Sequence, residues 1–226
     1  MAAICELYRS VGELHANGSY VVSTDERTGM QALERLHPTK PARPGSIERV
    51  EFEYVRHGTL CLTANFDVLT GAVIEPTIAE TRGNDDFLGH VQRLVSLNPA
   101  AGWILVADNL DTHRSEQLVR WVADQLQDTQ ELGEMSTRGI LGSRKSRAAY
   151  LSDSSHRIRF VYTPRHASWM NQVEIWFSIL SRRFLRRASF VSLDDLRTRL
   201  MAFIEYFNEV LAHPYKWTYT GRPLRA

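Results

Sequence analysis

The sequence predicts an α/β domain, a mixed five-stranded sheet flanked by helices, and three observations lead there. β-rich runs crowd the first third of the chain: Ser19–Glu26, Arg49–Arg56, Thr59–Val68 and Ala72–Glu80, the last two joined by a Thr70-Gly71 turn. Further on, short apolar strands at Trp103–Ala107 and Ile158–Tyr162 alternate with helix-patterned stretches. Two longer helical patterns then close the chain. A length of 226 residues suffices to bury one sizeable core, so one domain is expected.

Taken in order, Ile4, Leu7, Tyr8, Val11 and Leu14 recur at helical spacing, and Gly18 ends that leading helix. Ser19–Glu26 follows as a buried strand. Pro38, Pro41 and Pro44 then mark a loop, because proline lacks the backbone donor that regular structure requires. The next three β-rich runs form an antiparallel meander. A helix begins at Asn84, carries Phe87, Leu88, Val91, Leu94 and Val95 on one face, and stops near Asn98-Pro99. After the Trp103–Ala107 strand, Leu118, Trp121, Val122 and Leu126 define another helix. Gln127–Arg157 is too long for a plain connection, usually about 4–6 residues, and is read as an insertion; its Gly, Ser and basic residues suggest a DNA-contacting flap or a solvated loop with one short helix. The closing helices are expected over roughly 168–186 and from Ser192, an N-cap followed by Asp194 and Asp195, to about Val210. This element order is that of a ribonuclease H-like fold.

The formal charge of +1 conceals a division. Residues 136–190 hold eleven Lys or Arg against only Asp153 and Glu174, a balance of +9, which leaves −8 for the rest. A localised basic surface suits a polyanion, although a chain with 24 Arg can also carry arginine simply as a solvated face. Cys5 and Cys61 have neither disulfide-framework nor zinc-site spacing. The chain shows no membrane-length apolar run and no signal-peptide pattern, so a cytoplasmic, nucleoid-associated protein with no membrane partner is expected. It has neither a GxxxxGK[ST] phosphate loop nor a serine-hydrolase elbow, which argues against a nucleotide-driven motor and a serine hydrolase.

Three acids stand out. Asp25 ends the run YVVSTDE, Asp108 ends WILVADN, and Glu174 lies in NQVE, within the helix-patterned SWMNQVEIWFSILSRRFLRR. A strand-end Asp ordinarily caps a turn, and Asp67 is read that way, with Asp85 and Asp86 as helix-start acids. Two strand-end acids and one helical acid also suit a pair of magnesium ions about 3.5–4 Å apart, since each ion takes oxygen ligands and only one or two carboxylates. Beside Glu174, the stripe Val173, Trp176, Phe177, Leu180 and Phe184 is apolar, so an acid there needs compensation. By strand alternation Glu26 points away from Asp25.

The phrases STDERTGMQALERLHP, ILVADNLDTH and TPRHASWMNQVEIWFSILSRR resemble the DDE transposases of bacterial insertion sequences in the mariner superfamily. The resemblance extends from about Ile4 to the closing HPYKWTYTGRPL. It implies that Asp25, Asp108 and Glu174 are the catalytic metal ligands for two Mg2+ ions, with Mn2+ a substitute. Glu26, Asn109, His113 and Asn171 are then supporting residues around the ligands. Arg144, Lys145, Arg147, Arg165, Arg182, Arg183, Arg186 and Arg187 are candidate DNA contacts. The implied activity is Mg-dependent DNA strand cleavage followed by 3′-hydroxyl strand transfer, with element ends and target duplex as partners and a homodimer assembled on DNA. The alternative is a truncated or inactive remnant that binds DNA without catalysis. Members of that superfamily carry helix-turn-helix modules ahead of the core, so residues 1–18 are read as the end of such a region and 19–226 as the catalytic domain.

Overall fold

The structure, a computed structural model, describes residues 1–221, apart from the side chain of Arg187. The last residues of the closing HPYKWTYTGRPL motif and of the expected domain therefore lie outside the described residues. Five strands form one sheet: β1 Ser19–Arg35, β2 Tyr54–Asp67, β3 Val73–Ala79, β4 Gly102–Ala107 and β5 Ile158–Tyr162, in the order β3-β2-β1-β4-β5. β3, β2 and β1 are antiparallel neighbours, whereas β4 and β5 run parallel to β1. The sheet is thus mixed, as predicted.

Alternation along the strands sorts the core into two faces. On one, Val22, Leu105, Ala107 and Phe160 meet Phe87, Val91 and Leu94 of α3 (Asn84–Ser96), Leu118 and Val122 of α4 (Glu116–Leu126), and Leu151 of α5 (Arg144–Leu151). On the other, Leu60, Leu62, Ala64 and Phe66 pack beneath Trp176, Phe177 and Leu180 of α6 (Val173–Arg183) and Leu196, Leu200 and Ile204 of α7 (Leu193–Tyr206). Beside them, Val21, Ile104 and Val106 are covered by Ile4, Cys5 and Tyr8 of α1 (Ala2–Arg9) and by Met170.

Several boundaries differ from those expected, each for a local reason. The leading helix breaks at Ser10 into α1 and α2 (Val11–Ala16). β1 does not stop at Glu26. Its ladder with β2 continues through a register shift between Arg27 and Met30, where Gly29 adopts φ +68°, a glycine bulge inside the strand. Arg49–Arg56 is not a separate strand; β2 runs from Tyr54 to Asp67 and takes in all of the expected Thr59–Val68 strand but its last residue. The insertion 127–157 is not a loose flap, since Leu141, Tyr150 and Leu151 are buried in the core and α5 packs against α4. At Gly71, φ is +77° and a Cβ would sit 1.9 Å from the His213 carbonyl oxygen, so the β2–β3 turn and the passing C-terminal segment require glycine there.

Candidate active site

Strand register brings the first two acids together. Parallel pairing of β1 with β4 runs from Ser19↔Gly102 to Ser23↔Val106. Two residues beyond the last pair come Asp25 and Asp108, so both stand at the same level on neighbouring chains, where β4 ends and β1 carries on. Asp25 is therefore inside its strand rather than at its end, although it is at the end of the parallel ladder. Its Oδ1 accepts from the Glu26 backbone N–H at 2.8 Å and its Oδ2 from Asn171 Nδ2 at 3.2 Å. Asp108 is fixed by its Oδ1, which accepts from the Leu110 N–H at 2.8 Å and from His113 Nδ1 at 2.8 Å.

The third acid enters through the start of α6. The stretch expected as one helix over 168–186 is a 3-10 turn at Ser168–Met170, an extended Asn171, the α-helix Val173–Arg183, and a further 3-10 turn at Leu185–Arg187. Asn171 leaves the helix because its fully buried carboxamide is used on β1: Nδ2 donates to the Thr24 carbonyl at 2.9 Å and to Asp25, and Oδ1 accepts from the Ser23 hydroxyl. The Val173 N–H donates to the same Ser23 hydroxyl at 2.8 Å. Glu174 thus falls in the first turn of α6, where the helix dipole favours a carboxylate.

On the other side of β1, Glu26 reaches His113, as alternation predicts. Both Glu26 carboxylate oxygens lie 3.1–3.2 Å from His113 Nε2, and the imidazole is wholly buried against Phe87, with ring centroids 4.3 Å apart. Glu26, His113 and Asp108 therefore form a hydrogen-bonded chain. Burial opposes charge on His113, but its hydrogen bonds to Asp108 and Glu26 outweigh that and raise its pKa to about 10, so it stands as imidazolium. The same contact lowers the Asp108 pKa against the opposing effect of burial. Burial, reinforced by the charge of Asp108, pushes Asp25 up to about 7. Glu174 is also raised, by burial first, with Arg27 opposing and Asp108 adding.

The carboxylate oxygens of Asp25 and Glu26, with Asp108 joined to them through His113, are the donor type that a hard divalent cation takes. The tightest group of ligand-type atoms among the described residues is Asp25, Glu26 and His113, mutually within 4.8 Å. Both His113 nitrogens are committed to carboxylates, which suits it to orienting acids rather than to coordination. Asn109 ties the end of β4 to β5 through the Thr163 carbonyl. Asp108, Asn109, Thr163, Arg165 and His166 border an open cavity of about 340 Å³ beside the acids.

Of the basic residues expected on DNA, Arg144, Lys145, Arg165, Arg182, Arg183 and Arg186 are exposed, with Arg144 paired to Asp111 at 2.8 Å. Arg147 is a correction. It is 6% exposed and donates to the carbonyls of Arg114 at 2.7 Å and Leu141 at 2.9 Å, so it holds the insertion to the β4–α4 connection and cannot face a duplex. The Arg187 side chain lies outside the described residues. Asp67 and Asp86 serve backbone turns as expected, accepting from the N–H groups of Leu69 and Gly83. Sequence reading passed over Ser23, whose available signal was a polar residue two positions before Asp25 on the same face of an apolar strand.

The sheet thus sets Asp25 and Asp108 where its parallel pairing ends, with Asn171 joining Asp25 to the segment that leads into α6. The chain belongs to the DDE superfamily endonuclease family, whose model matches residues 20–197. Its fold is that of the ribonuclease H-like catalytic domain of Mos1 transposase. It is similar to a pre-cleavage Mos1 transpososome (TM-score 0.53, 13% identity, 90% of this chain and 54% of that chain). It is likewise similar to a Mos1 transposase paired-end complex with left transposon end (TM-score 0.51, 13% identity, 90% and 53%). The chain thus spans about half the length of the Mos1 chains it matches. Among curated proteins, none matches. No helix among the described residues is long and apolar enough to cross a membrane.

Proposed function

We propose that this chain is the catalytic core of a DDE transposase, which cleaves DNA strands and joins the freed 3′-hydroxyl to target DNA. The observation that carries this reading is that Asp25 and Asp108 stand at the same level on the neighbouring parallel strands β1 and β4, with Asn171 tying Asp25 to the start of α6, whose first turn carries Glu174. These three side chains would hold two Mg2+ ions, with Mn2+ able to replace them. When bound, the ions supply activation of the attacking oxygen and stabilisation of the leaving oxygen in an in-line displacement. The protein's own part is positional: Asn171 holds Asp25, the Glu26–His113 pair keeps Asp108 ionised and turned, and the first turn of α6 presents Glu174. The substrate is duplex DNA, bound through the exposed arginines of the basic region, and the assembly on DNA is a homodimer.

Glu174→Gln tests this, because it preserves side-chain volume while removing the ligand charge. Nicking of supercoiled DNA in Mg2+ or Mn2+ should collapse, while duplex binding and the circular dichroism melt stay near wild type. A wild-type chain that binds DNA yet nicks with neither ion is the result expected of a non-catalytic remnant, and would overturn the proposal.

A further inference from the structure

The acids are held in place by a hydroxyl outside the acid set. Ser23 is wholly buried on β1, and a serine hydroxyl offers one donor and two acceptor positions. Its hydrogen goes to Asn171 Oδ1 and its oxygen accepts the Val173 N–H at 2.8 Å. The Tyr8 hydroxyl donates to the Met170 carbonyl at 2.9 Å, just ahead of Asn171. Ser23 and Tyr8 together therefore grip the chain on both sides of Asn171.

This grip helps hold the carboxamide in its observed orientation. The two ends of an Asn side chain have nearly the same shape, so its orientation is set by its partners. Thr24 O and Asp25 Oδ2 both need a donor, and only the amide end supplies one. The Ser23 proton, directed at Oδ1, anchors the opposite end of the carboxamide and so holds the amide end on Asp25. Without it, the buried Oδ1 would lose its donor and the Val173 N–H at the head of α6 its partner, so the Asn171–Val173 segment would be free to shift and carry the amide off Asp25. Asp25 and Glu174 would then drift relative to one another, since the Asn171–Val173 segment is what links them.

We propose that Ser23, supported by Tyr8, is the positioning residue that orients Asn171 toward Asp25 and fixes the placement of Asp25 relative to Glu174. The proposal rests on the metal-site reading above, and its test is arranged so that the two can fail separately. Mn2+ binding is measured by titration calorimetry without DNA, alongside thermal melts and duplex binding by fluorescence anisotropy. Ser23→Ala should weaken Mn2+ binding about 10-fold or more, the usual scale for residues that orient metal ligands. Duplex affinity should be unchanged. Ser23→Thr, which keeps the hydroxyl, should bind Mn2+ more tightly than Ser23→Ala. Because Ser23 acts through Asn171, the Ser23→Ala/Asn171→Ala double variant should bind Mn2+ no more weakly than Asn171→Ala alone. If Ser23→Ala does not fold, Tyr8→Phe provides the same test from the other end of the grip, with an expected loss of about threefold. Wild-type Mn2+ affinity in Ser23→Ala, or in Tyr8→Phe where that variant stands in, overturns the proposal, as do additive losses in the double variant. A wild-type chain that binds no Mn2+, or whose Mn2+ binding ignores Asp25→Asn, overturns the metal-site reading itself.

Discussion

Asp25 carries an electrostatic conflict that should be measurable as stability. Its ordinary pKa of 3.8 is pushed up to about 7 by burial and by Asp108, so between those values the folded chain keeps a proton that the unfolded chain has released. Its contribution is therefore fully present below about pH 3.8 and is lost as pH rises toward 7. His90 acts in the opposite sense. Burial, with Arg93 adding to it, holds that imidazole down from 6.5 to about 3, so its contribution is complete above 6.5 and is lost as pH falls. Each group tilts stability by about 1.4 kcal/mol per pH unit within its window, and the two nearly cancel between pH 4 and 6.5. Asp25→Asn removes one side of that balance. In chelator, urea melts of the variant should show stability rising with pH through this window, and at pH 7 the variant should be more stable than wild type. If it is less stable at pH 7, the Asp25 carboxylate is not strained. A site that holds like charges close together is less stable than it could be, which is a common cost of function.

At the scale of elements, Arg147 separates a structural arginine from one that faces DNA. Arg147→Ala leaves the buried carbonyls of Arg114 and Leu141 without their charged donor, at a cost of roughly 2–3 kcal/mol. Denaturant midpoints should fall accordingly while duplex affinity of the folded protein stays level; a loss of affinity without loss of stability would return Arg147 to the DNA surface. Its role was hidden in the sequence for a physical reason. The run RKSR advertises charge, but burial of its last arginine is decided by carbonyls from two other segments. Periodic apolar patterns were legible, and α3 begins at Asn84 as its spacing predicts because its buried stripe is local information. β1 extends beyond its expected end because pairing with β2 carries it through the bulge at Gly29. The break at Asn171 was likewise invisible, since its partner Ser23 is 148 residues away in sequence. For the site, residue types and strand positions pointed to the three acids, whereas the imidazolium at His113 emerges only once Glu26 and Asp108 close on it from opposite sides.

The whole molecule is closed by its C-terminal segment. Beyond α7, Tyr215 stacks on Phe66 at 4.7 Å, and Trp217 packs edge-on against Tyr8 at 5.0 Å while its indole N–H donates to Cys5 Sγ at 3.3 Å. The segment thereby fastens α7 to α1 and backs Tyr8 beneath the site. Trp217→Ala should lower stability by about 2 kcal/mol or more, because it removes aromatic burial and an edge-to-face pair together. Guanidinium melts would show it, and an unchanged midpoint would mean that the strap adds nothing to the fold.

Charge is divided on the same molecular scale, with +9 in residues 136–190 and −8 in the remainder. Arg182, Arg183 and Arg186 are exposed on and just beyond the last turn of α6, the helix whose first turn presents Glu174. Along eight or nine helical residues the distance is roughly 12–14 Å, enough for one backbone to pass the acids and still reach the arginines. If they touch phosphates, each neutralised phosphate releases counterions, and log affinity must fall linearly with log salt. Replacing all three by Gln should flatten that slope by about one for every phosphate no longer neutralised, up to about three, and should weaken binding to different duplex sequences equally. Fluorescence anisotropy across a salt series measures both quantities. A slope unchanged in the triple variant would place the DNA track elsewhere on the basic region, with Arg144, Lys145 and Arg165 as the remaining exposed arm.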